Sequence, residues 1–250
     1  MRENELNRTA QIFGLLNHVV VVADEAMEKS LLNRVGEEKK TLTIFFLNAH
    51  AFNLAWDDEP FANALLGSDI LLRDGIGMKV LFKCLGRDAA KNMNGTDFIP
   101  RLLLHLKGRR IALWGTHEPY LSIARDKLLA DGHNIVSLAN GFEDTDAYLA
   151  QLLDCAADVV VLGMGMPRQE ILAEMLRKEA KEPVIIIAGG AIIDFISDRF
   201  ARAPLIWRRC GLEWLFRLKQ EPGRLAGRYL KGGLRFAGRA IYLTWKSRLG

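Results

Sequence analysis

Cysteine is scarce in this chain. Cys84, Cys155 and Cys210 stand far apart, odd in number and without a C-x-x-C pair. That spacing excludes a disulfide scaffold and a thiolate zinc site, and it points to a reducing compartment. No apolar run approaches the ~18 residues of a membrane-spanning helix, and the polar start MRENELNRTA is unlike a signal peptide. A cytoplasmic soluble chain is the expectation. The five histidines, His18, His50, His105, His117 and His133, show no paired ligand spacing. G-x-S-x-G and P-loop motifs are missing, as are internal repeats and low-complexity linkers.

What is present defines the class. With 250 residues, 50% of them hydrophobic and 26% charged, the chain can bury a large core, which excludes disordered, collagenous and coiled-coil classes. Charge is divided unevenly. From Ala201 to Gly250, twelve Lys and Arg face only Glu213 and Glu221, a net +10, so an overall +4 leaves −6 for residues 1–200. Such polarity calls for an anionic partner at one end: nucleic acid, phospholipid headgroups or a phosphorylated ligand.

Short β-branched runs alternate with helix-period segments. The predicted strands are Val19–Val22, Leu42–Leu47, Asp69–Leu72, Arg110–Trp114, Asn134–Leu138, Val159–Gly163 and Val184–Ala188. Runs such as VVVLG and VIIIAG are apolar without alternation, as in parallel strands covered on both faces. Helical stretches are expected at Asp24–Asn33, Pro60–Leu66, Gly77–Leu85, Asp97–Leu106, Pro119–Ala130, Asp146–Cys155 and Arg168–Arg177. The layout is α/β: a Rossmann-like, mostly parallel sheet with helices on both faces.

After Pro204 the strand signals stop. Residues 1–204 read as an α/β core and 205–250 as a basic helical appendage. Helices are expected over Leu205–Gln220, Pro222–Leu230 and Leu234–Arg248, with Gly232–Gly233 breaking the last run. Arg224, Arg228, Lys231, Arg235 and Arg239 recur every three or four residues. Leu230, Leu234, Ala237, Ile241 and Trp245 follow on an adjacent stripe. That pattern suits a helix lying on an anionic bilayer, or a solvated cationic face packed on the body. Phe236, Tyr242 and Trp245 sit among cations, but their helical spacing and the lack of a recognition motif argue against nucleic acid.

Ligands of open α/β sheets bind beyond the carboxyl ends of strands, where five segments fall. Asn48 follows a strand and can donate to a ligand or cap a helix. In Arg73–Asp74–Gly75–Ile76–Gly77, Asp74 is a strand-end acid flanked by glycines, or an N-cap. Asn92–Met93–Asn94–Gly95–Thr96–Asp97 is a polar loop in which Thr96 or Asp97 can cap the next helix. Gly115 lies in the strand–Gly–Thr turn WGTHEP, which is of the phosphate-cradling type. In Gly163–Met164–Gly165–Met166–Pro167–Arg168–Gln169–Glu170 the third glycine of a dinucleotide fingerprint is missing and Pro intrudes, so NAD is disfavoured. Gln169 can bond a sugar or pyrimidine, and Glu170 can equally serve the helix dipole. Asp144–Thr145–Asp146 has the letters of a metal-binding Asp-x-Asp but sits in a polar loop, where capping is the better account. No metal site is indicated.

Taken together, LLRDGIGMKV, NGTDFIPRLL, LGMGMPRQE, DFISDRFARAP and GLEWLFRLKQEPGR resemble the WecG/TagA/CpsF glycosyltransferases, in the family's order, over about 48–229. The resemblance implies an inverting, metal-independent enzyme without cofactor. It implies transfer of a sugar from a UDP-sugar donor onto a polyprenyl-diphosphate-linked acceptor at the cytoplasmic membrane face. By similarity Asp74 is the general base, and Asn48 and Gln169 contact the nucleotide-sugar. Arg217 and Arg224, with Arg228 beside a lost third arginine at Gly227, neutralise the diphosphate. The same motifs extend the candidate binding set to Gly75, Gly77, Asn92, Asn94, Asp97, Gly115, Gly165, Glu170 and Asp194. Self-association is also implied. The chain departs from the family pattern at Phe46, Asn92 and Gly227, which points away from N-acetylmannosamine or uronic-acid donors and toward glucose. The competing expectation is a non-catalytic nucleotide-sugar-binding module recruited to membrane by its basic tail.

Overall fold

Seven short β-branched segments pair into one all-parallel sheet, ordered β1-β3-β2-β7-β6-β4-β5. They are β1 (Val19–Val20), β2 (Leu42–Leu47), β3 (Ile70–Arg73), β4 (Arg110–Gly115), β5 (Asn134–Ala139), β6 (Val159–Gly163) and β7 (Ile185–Ala188). The computed structural model describes residues 2–248, without the side chains of residues 2–5 and Arg224. The central strands β3, β6 and β7 are buried throughout, as their unbroken apolar runs require of strands covered on both sides. The fold is the Rossmann-like α/β class that the alternating pattern predicts.

Helices cover both faces. One face carries α1 (Arg2–His18), α3 (Ala49–Asp57), α4 (Glu59–Gly67), α5 (Gly75–Cys84), α8 (Thr145–Cys155) and α9 (Arg168–Glu179). The other carries α2 (Glu25–Glu37), α6 (Gly95–His105), α7 (Tyr120–Ala130) and α10 (Ile192–Ile196). Sheet residues split by parity: Phe45 and Leu47 join the first core, Ile44 and Phe46 the second. The prolyl bonds Glu118–Pro119 and Met166–Pro167, just before α7 and α9, are cis.

The basic end is folded onto this body. It forms α11 (Leu205–Arg209), α12 (Glu213–Gln220) and α13 (Pro222–Lys246). The single helix predicted over Leu205–Gln220 is two, because Gly211 takes a left-handed turn (φ +70°) between them. The break predicted at Gly232–Gly233 does not occur: α13 runs straight through. Tertiary packing overrides the weak glycine propensity here. Phe236 sets its ring edge-on to Phe52 of α3 at 5.3 Å, and Leu225 and Leu243 are buried on either side of the pair. Asn53 Nδ2 donates to the Gly232 carbonyl at 2.8 Å, and Arg239 Nη1 donates to the Asn53 carbonyl at 2.9 Å. Among the described residues no helix is long and apolar enough to cross a membrane.

Candidate active site

Off the carboxyl ends of β2 and β3 lies a cavity of about 370 Å³, roofed by α11, α12 and α13. The body contributes Asn48, His50, Asp74, Gly75, Gly77, Asn92, Asn94 and Thr96; the basic end contributes Arg208, Glu213, Trp214, Arg217, Arg228 and Tyr229. One floor carboxylate, Asp74, thus faces a roof that carries three arginines and Glu213.

β2 and β3 are neighbours, with Leu47 in register with Arg73, so the residues that follow them, Asn48 and Asp74, stand side by side. Asn48 Oδ1 caps α3, accepting from the N–H groups of His50 and Ala51 at 3.0 Å each. Its Nδ2 faces Asp74 Oδ2 at 3.5 Å. The capping reading of Asn48 holds, and its amide nitrogen faces Asp74. Asp74 occupies the N-cap position of α5 yet makes no capping hydrogen bond, so its carboxylate is left for the cavity. Burial pushes that carboxyl above the ordinary range; the Asn48 bond and the charges of Arg228, Arg73 and Arg217 bring it only partly back.

The turn around Asp74 is built to stay open. Gly75 has φ +84°, and a Cβ there would meet nothing within 4 Å. A Cβ on Gly77 would come within 3.0 Å of Ala49 Cβ, so glycine lets α5 lie against α3. Asn92 Oδ1 accepts from Gly75 N–H at 2.7 Å. The buried Arg73 side chain donates to the carbonyls of Ala89 (2.5 Å) and Gly75 (3.0 Å), tying the following loop beneath the turn.

Asn94 caps α6 through Asp97 N–H (2.9 Å) and also donates to the Asp97 carboxylate (2.8 Å). Asp97 does not line the cavity; it pairs with Arg202 and, at 3.4 Å, with Arg208. Burial alone would raise its carboxyl, but the Asn94 bond and the two arginines hold it below the usual range. Asp97 thus holds the roof arginine Arg208, together with Arg202, from outside the cavity.

Arg217 lies over the Phe195 ring at 5.1 Å and 3.9 Å from Glu221. The Nε atoms of Arg217 and Arg208 are buried and make no hydrogen bond among the described residues. Arg228 joins them in the lining. The Arg224 side chain lies outside the described residues.

A second group of expected site residues is brought together elsewhere, at the ends of β4, β6 and β7. Gln169 and Glu170 are both 0% exposed. Gln169 Oε1 accepts from the N–H groups of Gly165 (3.1 Å) and Gly190 (3.0 Å), and its Nε2 donates to Glu170 at 2.8 Å. Gly115 leaves room for the Gly163 backbone: a Cβ on it would lie 2.4 Å from the Gly163 carbonyl oxygen. Asp194 accepts from Thr116 Oγ1 (2.5 Å) and from Arg199 (3.1 Å). None of Gly115, Gly165, Gln169, Glu170 or Asp194 lines the cavity.

Sequence reasoning missed His50, Arg208, Glu213 and Trp214 as lining residues. Burial, with Arg228 adding to it, pulls the His50 imidazole down to about 4, so it is neutral near pH 7. Its position two residues past Asn48 in FFLNAHAFN was the available signal; Glu213 and Trp214 stood inside the GLEW block. Asp144 starts α8 without any side-chain cap bond, so the capping reading of Asp144–Thr145–Asp146 is not realised through Asp144.

A parallel sheet with a cavity beyond the carboxyl ends of its strands defines an α/β ligand-binding class. The family model described as glycosyl transferase WecG/TagA/CpsF family matches residues 11–249. The chain belongs to this family and is a glycosyltransferase of that kind.

Proposed function

We propose that the protein is an inverting, metal-independent transferase that moves a sugar from a UDP-sugar to a polyprenyl-diphosphate-linked acceptor. Asp74 acts as general base. The carrying observation is the Asp74 carboxylate, free of capping duty and raised in proton affinity, facing a cavity whose opposite wall bears Arg208, Arg217 and Arg228. As the acceptor hydroxyl attacks the anomeric carbon, its proton passes to Asp74 and a new C–O bond forms on the opposite side from the leaving group. The old anomeric C–O bond breaks and its electron pair departs with UDP. Preorganised guanidinium groups neutralise the charge that develops on the diphosphate.

Of the departures that favour a glucose donor, Asn92 is the one on the cavity wall. Phe46 is buried against Phe98, with ring centroids 6.3 Å apart, and is a packing residue. A Cβ on Gly227 would meet nothing within 4 Å, so the missing third arginine leaves open space beside Arg228.

The reading places α13 on the inner membrane face. In support, Leu230, Leu234, Ile241 and Trp245 are 66%, 78%, 71% and 55% exposed along a helix that also carries exposed Lys231 and Arg235. A screen of UDP-sugars with a synthetic lipid-diphosphate acceptor, read by product mass, tests the assignment. One UDP-sugar should extend the acceptor, and Asp74→Asn should abolish transfer. Binding of UDP-sugar without turnover across acceptors would reduce the protein to a nucleotide-sugar-binding module.

A further inference from the structure

Beside the polar cavity, α5 and α13 diverge to leave a second hollow of about 530 Å³. Gly77, Val80 and Cys84 line it from α5, at the three- and four-residue steps of one helix face. Ala237, Ile241 and Trp245 line it from α13, every fourth residue. Among the lining residues, side-chain nitrogen or oxygen comes from Thr244, Trp245 and Arg248, at and just past the end of α13; the rest are apolar. Val80 is 50% exposed, and Gly77 and Ala237 add little bulk to the walls. Gly77 and Phe236 line both hollows, so the apolar groove begins where the polar cavity ends.

We propose that this groove holds the first isoprene units of the acceptor's hydrocarbon chain, with its diphosphate at the junction where groove and cavity share Gly77 and Phe236. This rests on the lipid-linked acceptor of the preceding section. An amphiphile with a polar head and an apolar tail matches the two hollows in order: a cavity lined by charged and polar side chains, then an almost wholly apolar channel continuous with it. A membrane contact of α13 alone would leave α5 untouched, whereas Val80 and Cys84 of α5 wall the groove together with Ile241 and Trp245 of α13.

The test uses the full-length protein with inorganic pyrophosphate, dimethylallyl diphosphate and farnesyl diphosphate as probes, measured by titration calorimetry below the micelle threshold. Affinity should rise with chain length, farnesyl diphosphate binding at least about tenfold tighter than pyrophosphate. A benzophenone-bearing farnesyl diphosphate should cross-link to Val80, Cys84 or Ile241, mapped by mass spectrometry. Ala237→Trp, at an exposed position that lines only the groove, should erase the chain-length gain while leaving pyrophosphate and UDP binding unchanged. Val80→Asp should act in the same direction, and UDP binding reports that each variant is folded. Equal affinity for all three probes overturns the proposal, as does cross-linking confined to Leu230 and Leu234. So does self-association that Ala237→Trp abolishes with no chain-length effect, which would assign the groove to a second copy of the chain. If short-chain diphosphate acceptors are glycosylated as fast as farnesyl ones, the transferase reading stands and the groove falls. If UDP-sugar is never consumed but the farnesyl chain still maps to the groove, the groove stands and the donor reading falls.

Discussion

Asn48 commits its carbonyl oxygen to the N–H groups of His50 and Ala51, which leaves its amide nitrogen facing the Asp74 carboxylate at 3.5 Å. The cap fixes which end of the amide the acid sees. Asn48→Asp keeps a good cap but replaces the facing donor with a like charge. The Asp74 carboxyl should then hold its proton to still higher pH. Since the base must be ionised to act, the acidic limb of the kcat–pH profile should move up by about one unit. Asn48→Ser, which caps without adding charge, should move it less. An unmoved limb in both variants would detach Asn48 from the chemistry.

Asp74→Asn separates catalysis from folding. Loss of the base should lower kcat by about 10²–10⁴-fold, while UDP affinity stays close to that of the parent. Stability should not fall. A carboxyl raised above its unfolded value favours the folded state fully at low pH, and that contribution is lost as pH rises through the raised value. Above that point the neutral amide should match or exceed the parent in melting temperature. A sharp drop in melting temperature would mark Asp74 as a structural residue instead.

Arg217 tests the roof. Its Nε–H is buried without a hydrogen bond among the described residues, a donor held ready rather than spent on the fold. Arg217→Lys keeps the charge but loses the planar fork. If the fork serves the departing diphosphate, kcat should fall about 10²-fold while KM for the donor changes little, because a bond made only as charge develops is lost from the transition state. A change in KM alone would mean that Arg217 binds the ground state.

The strand pattern was readable because runs such as VVVLG are short, β-branched and closed by glycine, and Asn48 and Asp74 were each readable as strand-end residues; that they stand side by side follows from the pairing of β2 with β3. Gln169 and Glu170 were misleading on spacing alone: a turn rich in glycine after a strand looks like a ligand cradle whether its side chains point out or, as here, inward to brace Gly165 and Gly190. The roof was half-legible. Its cations could be counted in sequence, but their docking depends on Asn53 and Phe52 contacts some 180 residues away in the chain, such as Asn53 to Gly232 (separation 179). No local signal carries such a contact, and the same contacts keep α13 intact through two glycines.

That continuity has a measurable consequence. A Cβ on Gly233 would meet nothing within 4 Å. Gly233→Ala should therefore stabilise the protein by about 0.5–1 kcal/mol, the helix-propensity difference between the two residues. Urea unfolding at fixed pH measures it. Destabilisation would mean that the helix bends at this point in solution.

Glu170 opposes folding at neutral pH. Its side chain is wholly buried, Oε2 has no hydrogen-bond partner among the described residues, and burial pushes its carboxyl up to about 7 against the Gln169 bond. In the unfolded chain the same group titrates near the ordinary glutamate value of about 4.3. The folded state therefore gains from the protonated form at pH 4 and below, and that gain drains away as pH climbs from there through 7. Glu170→Gln keeps an acceptor for Gln169 Nε2 without a titrating proton, so the two proteins should be close in stability at pH 4 and diverge above it. The variant should lead by up to about 3 kcal/mol at pH 8, each pKa unit being worth ~1.4 kcal/mol. Urea denaturation of both proteins across pH 4–8 reads the difference. Parallel stability curves over that range would show that Glu170 is ionised and solvated inside the fold, and would put a water or counter-charge beside Oε2.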